Sequence, residues 1–173
     1  TLNGSPTFDT NGVTLNGSGK YITIPQSILE FGSDDFTISL WVESIDDFNS
    51  TFQVILNLGS NLSNNNYLIL VVQNSTNANG FDSREIYLQQ SSGASDHKFR
   101  TSFIYPNDSI SHNYIITRKN SIIKVYIDAK HKVNLTFPTL VNSNYYIGTN
   151  VPSDTSYLHG IIKRVDIWKG IGF

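Results

Sequence analysis

The feature that most constrains the fold is an alternation of apolar and polar residues with a period of two. It is clearest over residues 36–43. The two predicted faces of this segment carry Phe36, Ile38, Leu40 and Val42, and Thr37, Ser39, Trp41 and Glu43, respectively. Such alternation is typical of a half-buried β-strand, whereas an amphipathic helix needs apolar residues at intervals of three and four. No helical period persists along the chain, so the sequence predicts an all-β fold.

The same strand pattern recurs along most of the sequence. It predicts further strands over 12–15, 20–24, 53–58, 67–73, 85–90, 98–104, 112–118, 122–128, 132–136, 144–148 and 160–168. Asn-Gly pairs, whose residues tolerate the positive φ of tight turns, stand at 3–4, 11–12, 16–17 and 79–80. Many short strands joined by such turns are typical of an antiparallel β-sandwich made of two sheets.

The length and composition indicate a single domain. The chain has 173 residues and no linker divides it, so we expect one domain over 1–173. Because the sequence begins with Thr1 and not with Met, we expect this domain to be excised from, or appended to, a larger protein.

Charge and cysteine content exclude several classes of function. The net charge of −2, from 12 basic and 14 acidic residues, disfavours a nucleic-acid partner, because domains that bind nucleic acid are usually strongly basic. The absence of cysteine excludes thiolate metal sites and cysteine nucleophiles. No apolar run approaches the roughly 20 residues that cross a bilayer, so we expect no membrane span.

Four segments, in order along the chain, carry a family signal. They are the hairpin 8–25 that ends in KYITIP, the strand DFTISLWV at 35–42, the hairpin YIITRKNSIIKVYID at 114–128, and YYIG at 145–148 followed by LHGIIKRVDIW at 158–168. Together they resemble the laminin-G-like or concanavalin-A-like lectin/glucanase jelly roll. The resemblance implies a jelly-roll sandwich over nearly the whole chain. The ending 168–173 is similar to that of laminin-G-like modules in phage tail and virion proteins.

The chain departs from this family at two places. The resemblance implies Asp-Gly after the last hairpin strand, but Asp128 is followed by Ala129, so we expect a different type of turn because alanine adopts positive φ at a cost. In many relatives, acids near Lys163 help to hold a structural calcium ion. Lys163 disfavours a structural calcium ion at that position, because its ammonium group repels Ca²⁺. We therefore expect no cofactor.

The acids do not form the pattern of a glycoside hydrolase. Related glucanases carry alternating acids on one strand, since retaining hydrolysis needs two carboxyl groups about 5–5.5 Å apart. Here Glu85 is followed along its strand by the amide of Gln89, and no paired acid appears. We therefore expect no enzymatic activity. His112, which begins a predicted strand, is interpreted as a packing residue.

Aromatic residues are the best candidates for binding a ligand, because sugar rings stack their C–H faces on aromatic rings. The predicted polar strand faces carry Trp41, Tyr87 and Tyr126, with Arg118 and Lys124 nearby in sequence. Loop candidates are Tyr105, Asn107, Asp108 and Tyr157. A sandwich also buries many aromatic residues, so structural packing remains the alternative for each.

Two functions from different classes remain open. The first is a non-catalytic recognition or attachment module that binds a surface glycan or glycoprotein and is displayed outside the cell, on a virion, a phage fibre or a cell surface. The second is a structural decoration domain that packs on a parent or neighbouring virion or surface protein and binds no sugar. An exposed apolar patch would favour the second function, and a groove with one or two exposed rings would favour the first.

Overall fold

The structure is a computed structural model that consists of β-strands and connecting loops. It describes residues 1–44, 52–59, 66–73, 82–92, 96–106, 108–137, 140, 144–150 and 156–172. Among these residues there is no helix of the length and apolar character that a membrane span requires. All strand pairs are antiparallel.

Fourteen strands form two sheets of seven strands each, in the described part of the chain. In spatial order, the first sheet contains β1 (Leu2–Asn3), β4 (Tyr21–Ile24), β13 (Tyr145–Ile147), β6 (Phe52–Gly59), β7 (Asn66–Gln73), β8 (Glu85–Ser92) and β9 (Asp96–Ile104). The second contains β12 (Lys130–Thr136), β11 (Ile122–Ile127), β10 (Ser111–Lys119), β5 (Phe36–Ser44), β14 (His159–Lys169), β3 (Gly12–Asn16) and β2 (Thr7–Asp9). The all-β prediction is confirmed, and the arrangement is a jelly-roll sandwich.

The main hydrophobic core lies between the two sheets. Alternate residues of each central strand point into it, and β5 supplies the predicted apolar face. The four residues of that face are at most 1% exposed: Phe36, Ile38, Leu40 and Val42. Burying a side chain of this size contributes about 1.5–3 kcal/mol to the stability of the fold. This layer fixes which residues of β5 and its neighbours face outward.

The predicted strands all correspond to observed ones, with ends that differ by at most two residues. Two short strands, β1 and β2, were not predicted. They have two and three residues, too few to show an alternation, and they pair at sheet edges. Their pairing with β4 and β3 depends on tertiary structure.

Two hairpins of the second sheet have two-residue turns with positive φ at both positions. Between β10 and β11 these are Asn120 (φ 50°) and Ser121 (φ 64°), and between β11 and β12 they are Asp128 (φ 48°) and Ala129 (φ 62°). Two successive positive φ values define the type I′ turn, whose twist matches that of the paired strands. The expectation of a different turn at Ala129 was therefore wrong, because the hairpin imposes the conformation that Asp-Gly would adopt and alanine bears the strain.

The strain at Ala129 predicts a stabilising substitution. The left-handed conformation costs a residue with a Cβ atom about 1–2 kcal/mol. Glycine removes this cost, but its greater freedom in the unfolded chain lowers the stability of the fold by about 0.4–1 kcal/mol. We expect Ala129→Gly to raise the free energy of unfolding by about 0.5–1 kcal/mol, and the melting midpoint by about 1–4 °C. Calorimetry should show no such gain for Ser33→Gly, since Ser33 lies in a turn without positive φ. Destabilisation by Ala129→Gly would contradict the strain argument.

Candidate functional site

A groove of about 370 Å³ lies on the outer face of the second sheet. This volume falls in the range of small-molecule sites, about 300–1,000 Å³. Most of its wall consists of carbon atoms. Its floor comes from β5 and β10 and its sides from β11, β14 and the turn after β11; the lining residues are Thr37, Ser39, Ile115, Thr117, Tyr126, Ala129 and Trp168.

Two aromatic rings flank the groove. Tyr126 stands on β11 and Trp168 on β14, and the strands β10 and β5 lie between them. Three strand spacings separate the two backbones by about 14 Å, which leaves room for a sugar ring between the side chains. Trp168 is 39% exposed, and Tyr126 is half-buried with its ring edge-to-face on His131 at 5.4 Å. The groove thus has two aromatic surfaces and a floor of smaller side chains.

A bulge in β14 sets the direction of Trp168. Ile162 pairs with Val42 and Arg164 with Trp41, so Lys163 is an extra residue in β14. After the bulge, Arg164, Asp166 and Trp168 occupy the outer face. Sequence reasoning did not single out Trp168 as a binding residue. The alternation of RVDIW at 164–168 was the signal, since it places this tryptophan on the same face as an arginine and an aspartate.

Trp41 lies on the same outer face but does not line the groove. It is 39% exposed, as Trp168 is, and it pairs across the sheet with Arg164 and Asn113. The guanidinium of Arg164 in turn contacts Asp166, with 2.6 Å between Nε and Oδ2. Of the sequence candidates, the structure therefore places Tyr126 in the groove and Trp41 one row of side chains away from it.

Tyr87 lies on the outer face of the other sheet and is covered. It is 2% exposed and packs with Val54, Tyr67, Ile69 and Val71 in a second apolar cluster. This burial raises the pKa of its hydroxyl to about 12. The expectation of an exposed polar face was wrong here, because the outward residues of the neighbouring strands are apolar too.

Arg118 and Tyr105 are also buried, each about 1% exposed. Arg118 occupies an inward position at the end of β10, where Nη1 donates a hydrogen bond to the carbonyl of Gly32 at 2.7 Å. The ring of Tyr105 lies 6.4 Å from that of Tyr114, and its burial raises the pKa of its hydroxyl. Neither side chain can contact a ligand at the surface in this conformation, so we remove both from the candidate set.

Tyr157 is half-buried on the side of the first sheet, away from the groove. Its ring stacks on Tyr21 at 6.2 Å, and Tyr21 contacts Tyr146 edge-to-face at 6.1 Å. This arrangement is a surface cluster of three tyrosines. Asn107 lies outside the described residues, so its predicted role is not addressed by the structure.

Asp108 takes part in a clamp around His112. Nε2 of His112 is 3.0 Å from Asp108 Oδ2, and Nδ1 is 2.6 Å from Asp128 Oδ2. Burial alone would lower the pKa of His112, but the hydrogen bonds and charges of the two aspartates outweigh it and raise the pKa. The backbone N–H of Ile110 and the contact with His112 lower the pKa of Asp108. His112 is therefore an ionic link and not only a packing residue.

The acid considered for catalysis is occupied by structural contacts. Glu85 is fully buried, and its carboxylate accepts a hydrogen bond from Arg100 Nε at 2.9 Å. The backbone N–H groups of Asp82 and Ser102 also donate to it, at 3.1 and 3.2 Å. Although burial alone would raise the pKa of Glu85, these contacts hold it below its usual value. An acid held in this way anchors strands β8 and β9.

Lys163, the residue at which the resemblance to the jelly-roll family raised the question of a calcium ion, forms an ion pair within the protein. Lys163 Nζ lies 2.9 Å from Glu43 Oε2. Ca²⁺ needs six to eight oxygen ligands, and an ammonium bonded to the nearby carboxylate does not suit it. Within the described ranges, no three His, Asp or Glu side chains are grouped so as to hold a metal ion. The residues at this position do not fit the ion.

The clamp predicts a stability that depends on pH. Both ring nitrogens of His112 face carboxylate oxygens, so only the protonated ring can donate to both. Because the folded-state pKa is raised, the stabilisation is complete below the unfolded value of about 6.5 and is lost as the pH rises through the folded value. We expect the melting midpoint of the natural chain to exceed that of His112→Gln more at pH 5.5 than at pH 8.5. An equal difference at both pH values would contradict the clamp.

The chain shares its fold with several solved structures. A likeness in structure extends over all of this chain and 77% of domain 4 of AbnA, a GH43 extracellular arabinanase from Geobacillus stearothermophilus solved with arabinotriose, with a TM-score of 0.70 and 20% identity. The LG4-5 domains of the mouse laminin α1 chain match with a TM-score of 0.67 and 11% identity, over 94% of this chain and 43% of theirs.

A third similar structure is the CBM40 module of the Ruminococcus gnavus IT-sialidase bound to α2,3 sialyllactose. It matches with a TM-score of 0.57 and 13% identity, over 86% of this chain and 88% of the module. At these identities the likeness shows the fold alone. No curated protein matches the chain in sequence. The sequence model described as the Concanavalin A-like lectin/glucanases superfamily matches residues 16–171, nearly the whole chain, and the chain therefore belongs to that superfamily.

Proposed function

We propose that the chain is a non-catalytic recognition module that binds carbohydrate in the groove between Tyr126 and Trp168. The observation that carries this proposal is the pair of aromatic rings across a floor of small side chains. Pyranose rings present flat C–H faces that pack on such rings, and burial of this apolar surface supplies binding free energy. The groove is open at the surface, and its volume of about 370 Å³ falls in the range of small-molecule sites.

The similar structures support a sugar ligand. The arabinanase domain was solved with arabinotriose, and the sialidase module with sialyllactose. Both are modules of proteins that act on carbohydrate. We infer that the partner of this chain is a surface glycan or glycoprotein met outside the cell, and that the module is displayed on a cell surface, a phage fibre or a virion.

A structural decoration domain is the second candidate, and one observation favours it. Phe8 is 72% exposed on β2, which is the last strand in the order of the second sheet. An edge strand with an exposed aromatic side chain is a surface on which another protein can pack. Under this alternative the module binds no sugar.

The groove is tested by a matched pair of tryptophans. Trp168 and Trp41 are equally exposed on the same sheet face, but only Trp168 lines the groove. On a glycan array and by titration calorimetry with the best hit, we expect Trp168→Ala to weaken binding about tenfold or more, as for a central aromatic contact. Trp41→Ala should retain most of the affinity. Equal losses in both variants, or no glycan bound, would contradict the proposed site.

We also propose that the fold needs no calcium at Lys163. The melting midpoint should be the same in EDTA and in millimolar Ca²⁺, because an ion that binds only the folded chain would raise it by mass action. Differential scanning fluorimetry in the two buffers makes the comparison. A rise of several degrees with Ca²⁺ would mean that another group of acids binds the ion.

A further inference from the structure

We infer that the groove selects a neutral sugar that carries a methyl group, a 6-deoxyhexose or an N-acetylhexosamine, over acidic sugars. This inference rests on the proposed function and specifies its ligand. Three properties of the lining carry it: the hydroxyl protons of the two floor threonines already bond to backbone carbonyls, none of the described lining residues is charged, and the exposed surface is mostly carbon.

The two floor threonines direct their hydroxyl protons to the protein. Thr37 Oγ1 donates to the carbonyl of Ile171 at 2.9 Å, and Thr117 Oγ1 donates to the carbonyl of Phe36 at 3.1 Å. The two hydroxyl oxygens are also 3.0 Å apart, and both residues are at most 2% exposed. Since each hydroxyl has one proton, neither has a donor left for a sugar hydroxyl.

The rest of the floor offers little exposed polar surface. Ser39 Oγ accepts a hydrogen bond from Asn113 Nδ2 at 2.8 Å and is 7% exposed. Ile115 and Ala129 have no polar side-chain atoms. A sugar hydroxyl above the two threonines finds no donor and only nearly buried oxygens, so its lost bonds to water are poorly replaced there, which opposes binding. A methyl group in the same place would lose nothing and would bury apolar surface.

Charged groups lie beside the groove and not in its wall. Asp166, the cross-strand neighbour of Ser39, is held by Arg164 at 2.6 Å. Lys124 is the cross-strand neighbour of Thr117 and is not one of the lining residues. A carboxylated sugar in the groove would give up its hydration and meet no cation among the lining residues. The described lining therefore lacks the cationic side chain that a site for an acidic sugar is expected to have.

The inference is tested with pairs of monosaccharides that differ in one group. Methyl α-D-fucopyranoside is methyl α-D-galactopyranoside without the 6-hydroxyl, and the glycosides of N-acetylglucosamine and of glucuronic acid each have the glucoside as their partner. Titrations followed by NMR measure each affinity. Transfer of one methyl group from water predicts about fourfold tighter binding for the fucoside, the N-acetylglucosaminide or both. The result names which methyl source the groove accepts. The glucuronide should bind more weakly than the glucoside.

The same titrations with Trp168→Ala and Trp41→Ala separate the two levels of the proposal. The inference is supported if the protein binds the methyl-bearing sugars more tightly than their partners. Trp168→Ala should abolish this preference, and Trp41→Ala should retain it. Binding that needs Trp168 but does not distinguish the methyl pairs, or that favours the glucuronide, overturns the selectivity and leaves the proposed function standing. No binding of any sugar, or binding indifferent to Trp168, overturns both.

Discussion

The structure depends on strand β5, which must satisfy two different faces at once. It lies between β10 and β14 near the middle of the second sheet, so both of its edges are paired. Its large apolar residues fill the core, and on the outer face the small residues Thr37 and Ser39 are also nearly buried. Their size leaves a depression between the taller side chains of Tyr126 and Trp168. The alternation that makes the core therefore also makes the groove.

The bulge at Lys163 connects this groove to the stability of the sheet. One extra residue in β14 turns the following side chains over, so that Trp168 faces outward while Val165 and Ile167 pack on the core. The extra residue itself forms an ion pair with Glu43 on the adjacent strand. Bulges re-aim side chains in this way near binding sites. The ammonium group of Lys163 thus lies at the bulge, beside the carboxylate of Glu43.

The sequence predicted on which face of a strand each residue lies better than whether that face is exposed to solvent. Alternation placed Trp41 and Tyr126 on an outer face correctly, because the second sheet has a polar or small outer row. The prediction that Tyr87 is exposed was wrong, because the neighbouring strand β7 is apolar on both faces and Tyr87 packs against it. The run YLILVV at 67–72 was a signal of burial on two sides. The prediction that Arg118 binds a ligand at the surface was wrong for another reason. Its inward position follows from the strand register, but the carbonyl group of Gly32 that it binds is 86 residues away in sequence, so no sequence pattern indicated this contact.

The hairpin turn after β11 joins the groove to the histidine clamp. Asp128 accepts hydrogen bonds from the ring of His112 and from the backbone N–H of Asn113, while the next residue, Ala129, lines the groove. Both turn residues have positive φ, so the clamp holds a strained conformation at the groove wall. Glycine would relieve the strain but would remove a methyl group from that wall. Alanine at this turn therefore lowers the stability of the hairpin and adds apolar surface to the groove. The floor of the groove is also mostly apolar.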